Sequence, residues 1–182
     1  MANEYLIKKW RLWFKCIDRK HTGQITKEDE KRTEEAFVNL AHLEGERKEE
    51  VLHTSQKLWD QFVFRGKTGP VTEDGFIQMI NDDLKKDRKK FEENMRKACI
   101  DDLKIVSQSG NDYLTEEEFI NAYKAVGFGN DDWNKKLFQA FDPVDGKVNN
   151  DKIVEVWFQF LVSEDSSKKD VALELLESYP DL

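Results

Sequence analysis

Asp18-Arg19-Lys20-His21-Thr22-Gly23-Gln24-Ile25-Thr26-Lys27-Glu28-Asp29 is the stretch that decides the fold. A calcium ion takes about six to eight oxygens, and a loop of about twelve residues supplies them from side chains at positions one, three and five, a backbone carbonyl at seven and an acid at twelve. Position six is glycine for the sharp turn, and an apolar residue at eight joins two such loops through a short ladder. Asp18, Gly23, Ile25 and Asp29 fall at positions one, six, eight and twelve. Lys20, at position three, sets a cation where calcium needs an oxygen. The ligands expected from this loop are Asp18, Thr22, Gln24, Thr26 and Asp29, with calcium affinity lowered steeply by Lys20.

Apolar residues recur at three and four on both sides of the loop, the spacing of amphipathic helices. Trp10, Trp13, Phe14 and Ile17 form the stripe that leads into it. Three more stripes follow: Leu58, Trp59, Phe62 and Val63; Ile100, Leu103 and Val106; and Trp133, Leu137, Phe138 and Phe141. Each runs into a polar segment, then an aliphatic residue followed by a small polar one, at Ile25-Thr26, Val71-Thr72, Leu114-Thr115 and Val148-Asn149. A further helical pattern begins after each pivot, so the unit is helix, loop, helix, repeated along the chain. Strand-like alternation is almost absent, and the expected class is all-α. Gly127-Phe128-Gly129-Asn130 and Ser163 to Ser167 break the pattern, and Val171 to Leu176 reads as a last amphipathic segment.

Those pivots fix the register of three further loops, all poorer in ligands. Loop 64–75 has Phe64 at position one and Gly75 at twelve, with Arg65 and Lys67 between them, and cannot bind as written. Loop 107–118 keeps Glu118 at twelve but has Ser107 at one and Asp112 at the glycine position. Loop 141–152 has Phe141 at one and Lys152 at twelve. Because positions one and twelve supply about three of the oxygens between them, a loop lacking both cannot complete a calcium shell. Calcium is thus expected at loop 18–29 alone, weakly or not at all.

The entry helix ending Trp13-Phe14-Lys15-Cys16-Ile17-Asp18, the segment Leu58-Trp59-Asp60-Gln61-Phe62 before a non-binding loop, and Leu114-Thr115-Glu116-Glu117-Glu118-Phe119 together resemble the invertebrate sarcoplasmic calcium-binding proteins. That EF-hand group is related to calexcitin, the coelenterazine-binding proteins and the photoproteins, and the resemblance covers nearly the whole chain. It implies four EF-hand helix-loop-helix units in two paired lobes forming one compact body, often with a large aromatic-lined interior. The lobes would be 1–86, holding loops 18–29 and 64–75, and 87–182, holding loops 107–118 and 141–152 plus a C-terminal helical tail. Insect juvenile hormone diol kinases resemble the same family, which keeps a kinase among the expectations. Gly66-Lys67-Thr68 resembles the end of a phosphate-binding loop, but Gln61 stands where the full pattern needs glycine.

An interior of that kind gives the aromatic set Trp10, Trp13, Phe14, Trp59, Phe62, Phe76, Trp133, Phe138, Trp157 and Phe160 two roles to choose between. Helical spacing makes packed core the default; the alternative is a pocket for a small apolar ligand, luciferin-like or lipid-like, with indole N–H groups as polar handles. No nucleophile and base pair, zinc spacing or catalytic carboxylate pair stands out, since nearly every acid falls on a face expected to be exposed, and the chain is not expected to be an enzyme. Lys+Arg of 29 against Asp+Glu of 37 in 182 residues gives a formal charge of −8, which disfavours nucleic acid and anionic membranes. With 38% apolar residues the chain can build a core without staples, and Cys16 and Cys99 read as buried free thiols. No segment has the length and apolarity of a secretory signal or a membrane span, so a cytoplasmic monomer is expected.

Overall fold

The capping chemistry sets where each helix starts. The computed structural model describes residues 1–107, 110–180 and 182. Asn3 accepts from Leu6 N–H at 2.9 Å and opens α1, Glu4–Ile17. Thr26 and Asp29 cap each other's backbone at the start of α2, Lys27–Leu40, and Thr115 and Glu118 do the same for α6, Glu116–Ala125. Such reciprocal caps satisfy two backbone donors that a helix start leaves without partners. The intervening helices are α3, Gly45–Trp59, α4, Glu73–Lys86, and α5, Arg88–Val106, and the later ones are α7, Asp131–Ala140, α8, Asn150–Val162, and α9, Val171–Glu177.

The pivots lie in short strands: β1, Gln24–Ile25, β2, Val71–Thr72, β3, Tyr113–Thr115, and β4, Lys147–Asn149. β1 pairs antiparallel with β2 and β3 with β4, placing Ile25 opposite Val71 and Leu114 opposite Val148. The eighth position of each loop therefore meets its counterpart, and all four residues are buried. A single buried cluster extends from Leu6 and Trp10 on α1 through Phe76, Phe91, Phe119 and Phe138 to Leu176 on α9. A smaller one gathers Phe37, Ala41, Leu43, Val51 and Ala125. No helix among the described residues is long and apolar enough to cross a membrane.

Three local features depart from the sequence reading. Ile100 is 41% exposed; on the 19-residue α5 the buried side is carried by Phe91, Met95, Leu103 and Val106. Asp60–Phe64 continues α3 as a π-helical turn, which rotates Phe62, Val63 and Phe64 into the core and delivers Arg65 in the left-handed conformation. Acids are also less uniformly exposed than expected, since Asp18, Asp29, Glu30 and Glu118 are buried.

Candidate functional site

Loop 18–29 follows directly from the end of α1, where Asp18 serves as the helix C-cap. Gly23 lies at φ +77°, the left-handed turn that position six requires. The carboxylate of Asp18 is drawn into the loop: Oδ1 accepts from the Thr22 N–H and hydroxyl, both at 3.1 Å, and Oδ2 accepts from Gly23 N–H at 2.7 Å. Thr22 also donates to the Gln24 carbonyl at 2.9 Å, the oxygen of position seven. Asp29 Oδ2 accepts from the Thr26 N–H and hydroxyl, at 2.9 and 2.7 Å, while Oδ1 meets Arg32 at 3.1 Å. Burial alone would raise the Asp29 carboxyl, but the Thr26 hydrogen bonds and the charges of Arg32 and Lys20 hold it below the ordinary range. The five expected ligands thus lie together, with both acids hydrogen-bonded within the loop and the Lys20 charge acting on Asp29. This donor set fits a calcium ion in part: two carboxylates, two hydroxyls and a carbonyl are present, and position three opposes it.

The remaining loops are occupied by other interactions. Phe64, at position one of loop 64–75, is fully buried beneath the Lys27 ammonium, 3.9 Å from its ring, and Arg65 pairs with Asp83 at 2.8 Å. Gly66-Lys67-Thr68 follows a helical turn where a phosphate-binding loop needs a strand. In loop 141–152, Phe141 is buried and Lys152 pairs with Asp142 at 2.7 Å, so an ammonium stands where the twelfth-position acid belongs. In loop 107–118, Glu118 is held by the Thr115 N–H and hydroxyl, both at 2.9 Å. Arg47 reaches across from α3 and donates to the carbonyls of Lys104 and Ser107, at 2.6 and 3.0 Å, placing a guanidinium at the loop entrance. Among the described residues of this loop the left-handed one is Gly110, at φ +64°, two positions earlier than the pattern requires. Gln108 and Ser109 of this loop lie outside the described residues. No cluster of three or more His, Cys, Asp or Glu side chains placed to hold a metal occurs among the described residues.

Between α1, α2, α3, α5, α6 and α8 lies a cavity of about 360 Å³. Of the aromatic set, Trp13, Trp59, Phe62, Trp157 and Phe160 line it. The other five are solid core. Trp10 is fully buried and its indole N–H donates to the Leu161 carbonyl at 2.9 Å. Phe14 packs on Phe76, and Phe138 packs on Phe119. Trp133 stacks on Phe128 and donates to the Leu175 carbonyl at 3.2 Å. Helical periodicity shows which residues face inward; it does not show whether facing side chains meet.

The cavity wall also carries polar groups, two of them acids that the sequence reading placed on exposed faces. Asp102, Glu34, Cys16, Cys99, Ser55 and Tyr123 all reach it. Cys16 and Cys99 are free thiols on the cavity wall, and burial pushes both up to about 12. The Tyr123 hydroxyl is raised well above its ordinary value, chiefly by burial. Burial of the carboxyl pushes Asp102 up to about 6, although the residue as a whole keeps exposed surface, and it lines the cavity. The spacing Ala98, Asp102, Ile105 is one helical stripe, and all three residues line the cavity, so the position of Asp102 was available in the sequence.

A carboxyl whose proton is held more tightly in the folded state than in the unfolded chain favours folding at low pH, and this contribution is lost as pH rises through its folded value. Between pH 5 and 7.5, the stability of the native protein relative to Asp102→Asn is therefore expected to rise toward the acid end. The change should be on the order of 1 kcal/mol after discounting for water in the cavity. Paired urea melts of the two proteins check this; curves that stay parallel across the range would show that Asp102 is solvated like a surface acid.

No protein-family model matches the chain. Over 177 residues, 96% of this chain and 99% of its relative, the sequence is 31% identical to a sarcoplasmic calcium-binding protein of Mizuhopecten yessoensis. The calcium-loaded apo form of the coelenterazine-binding protein from Renilla muelleri superposes with a TM-score of 0.74 at 19% identity, covering 92% of each chain. The photoprotein clytin gives 0.72 at 15% identity, covering 97% of this chain and 95% of its own. At those identities the likeness is one of fold. The identity over nearly full length, joined to helix–loop–helix pairs that meet through Ile25 and Val71 and through Leu114 and Val148, makes the chain a member of the EF-hand family of sarcoplasmic calcium-binding proteins.

Proposed function

We propose that this protein keeps the EF-hand architecture with calcium binding weak at Asp18, Thr22, Gln24, Thr26 and Asp29 and lost at loops 64–75 and 141–152, and that it serves as a calcium-independent binder of a small apolar ligand. The observation that carries this reading is the cavity of about 360 Å³, lined by Trp13, Trp59, Phe62, Trp157 and Phe160. Its volume falls within the range of small-molecule sites, about 300–1,000 Å³. Protein interiors keep few voids, and an apolar void costs stability in proportion to its volume, so one of this size is best explained by an occupant. The coelenterazine-binding protein of Renilla muelleri shares this fold, which supports an aromatic or lipid-like occupant of this interior. The two lobes, residues 1–86 and 87–182, then act as the two halves of a container, with paired loops serving as turns.

The test is binding of a neutral apolar probe, decanol, followed by the fluorescence of the cavity tryptophans in the presence of a calcium chelator. Saturable binding is expected, and Ala122→Leu, which adds side-chain volume to the cavity wall, should weaken it by about tenfold or more. Absence of saturable binding, or binding indifferent to the larger side chain, would remove the cavity as the functional site.

A further inference from the structure

Asp102 and Glu34 are the only carboxyl groups on the cavity wall among the described residues, and no lysine, arginine or histidine of that set lines it. Each of these acids sits beside cations that are already engaged. Lys97 and Lys104, near Asp102 on α5, both pair with Asp101 on the solvent side. Near Glu34 on α2, Lys31 pairs with Glu35, Arg32 with Asp29 and Lys27 with Glu30. Asp102 has no hydrogen bond or ion pair among the described residues. Glu34 Oε1 is buried without a hydrogen-bond partner there, while Ser55 and Gln56 lie beside this carboxyl and partly offset the burial that raises it. On a mostly apolar wall, Asp102 thus has no partner for its charge and Glu34 has only neutral ones.

We propose that the cavity takes an amphiphilic cation: an apolar body bearing one protonated amine that pairs with the Asp102 carboxyl, with Glu34 adding negative charge to the same wall. This rests on the cavity being a ligand site and adds the charge of the ligand. An anionic amphiphile of the fatty-acid kind meets like charge at both polar points of the wall, and a neutral one leaves both carboxyls as they are. An ammonium supplies charge-assisted hydrogen bonds to a carboxyl that otherwise has none, while its apolar body contacts Trp13, Trp59 and Trp157. The groups facing Asp102 do not compete for that role. Cys99 on its own helix and Tyr123 on α6 both stay protonated, and the Trp157 ring on α8 packs against Tyr123. Cys16 on α1 faces Tyr123, and Glu34 on α2 carries the same sign of charge as Asp102, with Glu30 beside it.

The experiment titrates decylamine, decanol and decanoate into the native protein at pH 7.5, and the first two again at pH 5, by calorimetry. Decylamine is expected to bind about tenfold or more tighter than decanol, with decanoate weakest. Asp102→Asn should reduce the preference for the amine over the alcohol to about threefold or less, and a cooperative urea melt of the variant shows that it is folded. Glu34→Gln should act in the same direction. At pH 5, where Asp102 takes up its proton and the amine keeps its own, the amine's advantage should narrow. Equal binding of amine and alcohol, or an amine preference untouched by Asp102→Asn, overturns the inference while the cavity remains a ligand site. If none of the three probes binds, the cavity reading fails and this inference falls with it.

Discussion

Replacing Lys20 with aspartate is expected to give loop 18–29 a calcium affinity about ten- to a hundredfold tighter than that of the native protein, because the change removes a cation and adds an oxygen ligand at position three. Two unit charges about 4 Å apart, here of like sign and so repelling, interact by about 1 kcal/mol in water and about 4 kcal/mol near a protein surface, and Lys20, being exposed, lies toward the weaker end. The rest of the loop is already in place: Gly23 makes its turn, Ile25 is locked against Val71, and Asp18 and Asp29 flank the site. Calcium would take over the Asp18 oxygens from the Thr22 and Gly23 amides, a rearrangement confined to the loop. Lys20→Ala should give a smaller gain, since it removes repulsion without adding a ligand. Calorimetric titration of both variants separates charge from shape. If Lys20→Asp binds no better than the native chain, the internal hydrogen bonds of Asp18 and Asp29, not the lysine, are what silence the loop.

The largest loss of stability is expected from Lys9→Ala, about 3–5 kcal/mol in a urea melt. Lys9 is fully buried on α1, with its ammonium 3.0 Å from Asp170 and 3.2 Å from the Gln159 carbonyl, and it lies 4.6 Å from the centre of the Tyr5 ring. Burial lowers the ammonium pKa and the Asp170 carboxylate opposes that shift. Asp170 is also the N-cap of α9, accepting from Leu173 N–H at 3.0 Å, so truncating Lys9 strands a carboxylate beneath the helix that buries Ala172, Leu173 and Leu176. The pair therefore ties the first helix to the last. In a double-mutant cycle, Lys9→Met with Asp170→Asn should recover part of the loss, because no unpaired charge remains. A loss below about 1 kcal/mol for Lys9→Ala would mean that water reaches the site.

The fold was legible because its punctuation is chemical. Ile25, Val71, Leu114 and Val148 could be picked out as apolar residues at one fixed distance after a polar loop, and the strand pairs unite them as that spacing requires. The ligand deficits were equally legible, since a missing carboxylate at position one or twelve is a property of the sequence. What replaced the ligands was not. The Lys152–Asp142 pair can be guessed from the loop itself, whereas Arg47 comes to loop 107–118 from another helix, and the Asp60–Phe64 π-turn needs only one extra residue in a helical run. Lys9 followed Lys8 in the sequence, and local pattern could not separate a fully buried ammonium from an exposed one. The interior divided the aromatic set because a cavity is defined by what does not touch: Trp10 and Trp133 spend their N–H groups on backbone carbonyls in packed core, while Trp13 and Trp157 border open space.

Thermal melting of the native protein in a chelator and again in millimolar calcium tests most directly the claim that this EF-hand architecture stands without its ion. A ligand bound only by the native state stabilises it by an amount set by its concentration over its dissociation constant. With sites no tighter than millimolar, the two midpoints should agree to within about 1–2 °C. A micromolar site would add about 4 kcal/mol and raise the midpoint by roughly ten degrees, a result that would contradict the account.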